Sequence, residues 1–117
     1  VDTKGIWDIA AEVSELADKA KNRKLTPAEM QGGCFTVSSL GNIGGQGFTP
    51  IVNTPEAGIL GVSRATVKPI YIDGEFQPRT MLPLTLSYDH RLVNGGDGGR
   101  FLNAVIENLV ELRRLIL

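Results

Sequence analysis

The sequence predicts an α/β sandwich in which one mixed sheet is covered by helices. Three observations carry that expectation: an amphipathic helical repeat near the start, a switch to a period of two around an Asp-Gly turn in the middle, and a wide helical stripe at the end. Ile6, Ile9, Ala10, Val13, Leu16, Ala17 and Ala20 follow three-four spacing, with Glu12, Glu15, Asp18, Lys19 and Lys21 turned away, so the first helix is expected from about Thr3 to Asn22. Thr26-Pro27-Ala28-Glu29 then has the residues of a capping box with Pro at the first helical position, which predicts a short helical turn before Gly32-Gly33.

From Phe35 to Leu40 the chain alternates as a strand, with Phe35, Val37 and Ser39 on one face and Thr36, Ser38 and Leu40 on the other. Four glycines between Gly41 and Gly47 mark a loop. Ile51-Val52-Asn53 reads as a short extended piece and Gly58 to Ser63 as a second strand. Thr66–Ile72 and Glu75–Pro78 flank Asp73-Gly74, the dipeptide suited to a type I′ hairpin turn. Arg79 to Tyr88 is expected as the longest strand, with Leu82, Leu84, Leu86 and Tyr88 on one side and Pro83 demanding an edge, a bulge or an unpaired position. Phe101, Leu102, Val105, Ile106, Leu109, Leu112 and Ile116 form the closing helical stripe, with Asp97 as its cap. Two helices are thus expected to cover one face of the sheet.

Composition narrows the function. The chain has 117 residues, 42% of them apolar and 21% charged, as in a single ordinary globular domain. A net charge of −1 gives no footprint for a nucleic acid or an anionic membrane, so neither is expected as a partner. The single cysteine, Cys34, excludes an internal disulfide and, with one histidine, a zinc framework; beside Gly33 and Phe35 it reads as a small buried filler in a reducing compartment. The apolar runs are too short and broken for a membrane span, and neither a span nor a targeting segment is expected within the chain as given. A start at Val1, running straight into helical periodicity, carries the expectation of a longer parent chain.

The chemistry concentrates in Ser87-Tyr88-Asp89-His90-Arg91-Leu92-Val93-Asn94-Gly95-Gly96, between the last strand and the last helix. His90 is the one histidine, and an ordinary imidazole accepts a proton near neutrality without a large shift. By spacing alone, the favoured reading of Asp89, Arg91 and Asn94 is that they cap a turn before Gly95-Gly96. The Gly41–Gly47 loop lacks the Lys-Ser/Thr that ends a P-loop, and Ser38 and Ser39 have no G-x-S-x-G elbow around them.

Ser87 to Gly95, together with Gly33-Cys34-Phe35-Thr36-Val37-Ser38-Ser39-Leu40-Gly41 and Pro50-Ile51-Val52-Asn53, strongly resembles the catalytic domain of the dihydrolipoamide acyltransferases of 2-oxo acid dehydrogenase complexes. The Phe-Thr-Val-Ser-Ser-Leu-Gly and Gly-Asn-Ile-Gly-Gly stretches are most similar to the acetyl-transferring branch, that of pyruvate dehydrogenase complexes. The resemblance covers nearly the whole chain and implies that residues 1–117 are the C-terminal part of the catalytic domain, without the lipoyl domains, the subunit-binding domain or the first half of the acyltransferase fold.

The implied fold is a sandwich like that of chloramphenicol acetyltransferase, a trimeric building block with its active sites between neighbouring subunits, assembling into a cubic or dodecahedral core. The implied substrates are coenzyme A and an acetylated lipoyl group carried on a separate domain. A 2-oxo acid decarboxylase and a dihydrolipoamide dehydrogenase are the further implied partners, in bacterial cytoplasm or the mitochondrial matrix. The family's base maps onto His90 and its oxyanion-stabilising hydroxyl onto Ser38. Its usual Asp four residues after the histidine is Asn94 here, so any support of the base must rest on an amide. The alternatives to acetyl transfer are a non-catalytic core scaffold, or transfer of a succinyl or branched-chain group.

Overall fold

The computed structural model describes residues 1–43 and 45–113, so Gly44 of the predicted loop and Ile116 of the predicted stripe lie outside the described residues. The chain divides into two units, Val1–Gly33 and Cys34–Leu117. In the first, helix α1 spans Ile6–Lys21 with Gly5 as N-cap. None of its residues is buried; Val13 of the apolar stripe remains 61% exposed and Trp7, outside the stripe, 87%. The predicted capping box forms around a 3₁₀ turn at Pro27–Met30: the Glu29 amide donates to Thr26 Oγ1 at 3.3 Å, and Glu29 Oε2 accepts from the Thr26 amide at 2.8 Å. That backbone bond, with further bonds from Lys19 and the Thr26 hydroxyl, holds the Glu29 carboxyl down at about 2.

The second unit carries strands β1 (Thr36–Ser39), β2 (Gly58–Val62), β3 (Thr66–Ile72), β4 (Glu75–Met81) and β5 (Leu84–Tyr88), and helix α2 (Gly95–Val110). β1, β2 and β5 form the expected mixed sheet in that order, β1 parallel and β5 antiparallel to β2. The hairpin β3–β4 is a separate two-stranded sheet. Its turn is the type I′ predicted, with positive φ at both Asp73 (52°) and Gly74 (87°). Pairs in such a hairpin alternate outward from the bonded pair Ile72–Glu75, which makes Tyr71–Phe76 a non-hydrogen-bonded pair. Their rings meet edge-on at 5.3 Å. By the same alternation Pro69 and Pro78, directly opposite each other, fall where neither nitrogen faces the partner strand.

Several local expectations are corrected. The strand expected over Arg79–Tyr88 is two, divided at Leu82-Pro83, because Pro83 has a fixed φ and no N–H; its carbonyl still accepts from the Ser63 amide at 3.1 Å. The Gly41–Gly47 loop opens with a 3₁₀ turn at Gly41–Ile43. Ile51–Asn53 joins no strand; instead Asn53 Nδ2 donates to Thr36 Oγ1 at 3.1 Å, and that hydroxyl donates to Glu56 at 2.5 Å, fixing the entry of β1. Cys34 is exposed rather than buried filler. The N-cap of α2 is Asn94, not Asp97, which sits in the first turn. Helix α2 packs on β5 of the mixed sheet, and α1 belongs to the other unit. The hydrophobics buried among the described residues are Ile59 and Leu60, both in β2 at the centre of the sheet.

Candidate active site

Alternation in β1 turns Thr36 and Ser38 to the half-buried face and Val37 and Ser39 outward, as expected. Ser39 is occupied by structure: its Oγ accepts the Gly41 amide at 3.2 Å where the chain leaves the strand. Ser38 is registered with Gly61 of β2, and Gly61 with Thr85 of β5.

His90 follows β5 in a tight turn built on Asp89. The Asp89 amide extends the sheet ladder to the Ala57 carbonyl at 2.9 Å, while its own carbonyl accepts from Leu92 at 2.9 Å and Val93 at 3.0 Å. Its carboxylate folds back over His90 to take the Arg91 amide at 3.0 Å and the Arg91 guanidinium at 2.6–3.1 Å. Hydrogen bonds from the Arg91 side chain and backbone hold the Asp89 carboxyl at about 2. The pair therefore stays charged throughout the range in which an imidazole titrates, and the turn does not loosen as a base in it takes up a proton. The imidazole itself is exposed, with the Tyr88 ring 5.6 Å away at 42°.

Asn94 closes the turn. Its Oδ1 accepts the Asp97 amide at 2.9 Å and its Nδ2 donates to Asp97 Oδ2 at 2.6 Å, so the amide is spent at both ends on the start of α2 rather than on the imidazole. Asp97 is also paired with Arg100. We expect Asn94→Ala to destabilise the fold by about 1 kcal/mol, the usual worth of an N-cap, and Asn94→Asp to keep the cap's acceptor while setting two carboxylates together. Denaturant unfolding of the two variants checks this: Asn94→Ala as stable as the parent would show that the cap carries no weight.

Beneath the turn lies an apolar cavity of about 260 Å³, lined among others by Phe35, Gly58, Leu86, Tyr88, Gly98 and Phe101. The Phe35 and Phe101 rings meet at one side of it, 5.5 Å apart.

The structure does not bring Ser38 and His90 together within one chain. Gly61, opposite Ser38, lies three residues along β2 from Gly58, opposite Tyr88, and β1 and β5 are two strand spacings apart; at about 3.3 Å per residue and about 4.8 Å per spacing, the Ser38 and Tyr88 backbones are roughly 14 Å apart. The Asp89 amide continues the ladder to Ala57, so the chain leads into His90 on the side away from Ser38. Sequence reasoning passed over Glu56 and Asn53, whose bonds to Thr36 depend on tertiary placement. It also passed over the packing of Tyr88 on α2, for which the run Gly95-Gly96-Asp97-Gly98-Gly99 was the available signal.

A family model described as 2-oxoacid dehydrogenases acyltransferase (catalytic domain) matches residues 1–117. The chain is 57% identical over 117 residues to the dihydrolipoyllysine-residue acetyltransferase component of the pyruvate dehydrogenase complex of Pseudomonas aeruginosa, covering 100% of this chain and 21% of that protein. It is also similar to a crystal structure of the Azotobacter vinelandii dihydrolipoamide acetyltransferase, with a TM-score of 0.93 and 52% identity over 99% of this chain and 48% of that one. That study concerned the roles of a serine, a histidine and an asparagine in the catalytic mechanism, at the same sequence intervals as Ser38, His90 and Asn94, so an asparagine after the histidine is not peculiar to this chain. The structure of the cubic core of the pyruvate dehydrogenase multienzyme complex is equally similar, at a TM-score of 0.93 and 52% identity over 99% of this chain and 48% of that one. The chain thus spans about a fifth of the curated relative and about half of the solved chains.

Proposed function

Because the chain belongs to the catalytic-domain family of the 2-oxoacid dehydrogenase acyltransferases, we propose that it transfers an acetyl group from S-acetyldihydrolipoyl-lysine to coenzyme A. In this reading His90 takes the proton from the coenzyme A thiol as the sulfur attacks the thioester carbonyl. An ordinary thiol is mostly protonated at neutral pH, so the attack needs such a base. The carbonyl oxygen becomes a tetrahedral oxyanion to which Ser38 donates a hydrogen bond. As the oxyanion collapses, the carbon–sulfur bond to the dihydrolipoyl group breaks and His90 returns the proton to the leaving sulfur. No acyl-enzyme forms. Asn94 and the Asp89–Arg91 pair fix the two ends of the turn that carries the base.

The observation that carries this reading is the separation of Ser38 from the end of β5 that leads into His90, roughly 14 Å between the Ser38 and Tyr88 backbones. Groups that serve one tetrahedral centre must lie within a few ångströms of it, so each site takes His90 from one chain and Ser38 from a neighbour, and the enzyme works as a symmetric oligomer. The cubic core formed by a close relative supports that arrangement. The acetylated lipoyl domain, the decarboxylase and the dihydrolipoamide dehydrogenase are the partners of this reading, and its bacterial relatives favour the cytoplasm as its site.

Complementation tests it. Intact protein co-assembled from equal amounts of His90→Ala and Ser38→Ala chains is expected to regain about a quarter of parental turnover, since about one site in four then receives both native groups. Activity no higher than that of either variant alone would place both groups in one chain and overturn the shared site.

A further inference from the structure

Helix α2 opens with Gly95-Gly96-Asp97-Gly98-Gly99, although glycine is among the poorest helix formers. At Gly98 the close packing gives the reason. The residue is buried, and a Cβ placed there would lie 2.9 Å from Tyr88 Cε1 and 3.3 Å from Cζ, too close for any side chain to be added without moving the ring. Tyr88 is half-buried at the end of β5, registered opposite Gly58, with its hydroxyl toward Gly95. Its other ring neighbour is the imidazole of His90, 5.6 Å away. The backbone of the His90 turn is held by Asp89 and Asn94, but no hydrogen bond to another residue fixes the imidazole among the described residues; the aromatic ring is the surface it rests on.

We propose that Tyr88 is a positioning residue for His90, its ring seated against the Cβ-free first turn of α2 at Gly98 so that the imidazole is held in one orientation. This rests on the reading of His90 as the base. The ring body does the positioning, and the hydroxyl does not. The other charged or titratable groups nearby are Asp89 and Arg91, paired with each other on the same turn, Asp97 on α2, paired with Arg100 and bonded to Asn94, and the Tyr88 phenol itself.

The test is a set of variants in the intact protein. Tyr88→Phe should keep kcat within about twofold of the parent, because the ring remains. Tyr88→Leu should lose about tenfold in kcat with little change in KM, the cost of a base no longer held in line. Gly98→Ala favours the helix yet forces the ring aside, so it should also lower kcat about tenfold, with the helix gain offsetting part of the overpacking cost in stability; if Tyr88→Leu fails to assemble, Gly98→Ala decides alone. In the double variant the two losses should not multiply, because both act through one ring. Parental kcat in Tyr88→Leu or Gly98→Ala, an equal loss in Tyr88→Phe, losses that multiply, or a loss that falls on KM instead of kcat would each overturn the proposal. Parental activity in His90→Ala would instead overturn the base assignment, so the two failures are distinct.

Discussion

His90→Ala in the intact protein is expected to lower kcat by about 10²- to 10⁴-fold, the usual worth of a positioned general base, with assembly and the KM for coenzyme A little changed. The imidazole is exposed and takes no part in the bonds that build its turn, which run from Asp89 to Ala57, Leu92, Val93 and Arg91. Its truncation therefore removes the base without dismantling the loop. A steady-state assay of thioester transfer settles it, and a variant that keeps more than about a tenth of parental turnover rejects the assignment. A catalytically silent scaffold, the principal alternative at the level of sequence, would show no difference between parent and variant.

Ser38→Ala carries the second large expected effect, a loss of about 10²- to 10³-fold in kcat, as for the removal of one oxyanion donor. The neighbouring serine is the internal control. Ser39 faces outward and accepts the Gly41 amide, so Ser39→Ala should cost about 1 kcal/mol of stability and little turnover. Turnover and denaturation measured on both variants separate the roles. If Ser39→Ala were the more damaging to turnover, the oxyanion role would pass to the outward face of β1, which the half-buried setting of Ser38 argues against.

What could be read from the sequence follows the range of the forces involved. The helical stripe of α1, the capping box at Thr26 and Glu29 and the Asp73-Gly74 turn are local, each decided within a few residues, and each is found where it was expected. The break at Pro83 is also local: the proline was recognised as a disturbance, but whether it would bulge a strand or end one depended on the pairing of Ser63. The start of α2 was misplaced because Asp97 was read as its cap, whereas Asn94 caps a helix that begins through Gly95 and Gly96. The candidates Ser38, His90 and Asn94 came from the resemblance to a family, not from their own spacing. Their separation was not legible, because it follows from strand register, which a pattern along one chain does not specify. The exposure of Cys34 is likewise a tertiary outcome.

The facing prolines of the hairpin have a consequence for how this protein behaves in a crowded solution. A two-stranded ribbon has two open rims, and each rim ordinarily offers a row of amide donors on which another extended chain can build. Pro69 and Pro78 occupy positions where the backbone nitrogen points outward, one on each rim, and neither nitrogen carries a hydrogen. The internal ladder loses nothing by this, since those two positions never bonded across it. A stray strand seeking to lengthen the ribbon, from either side, meets a gap in the middle of its template. The same pair of residues that looks like a defect in a strand sequence thus acts as a guard against fibrous association.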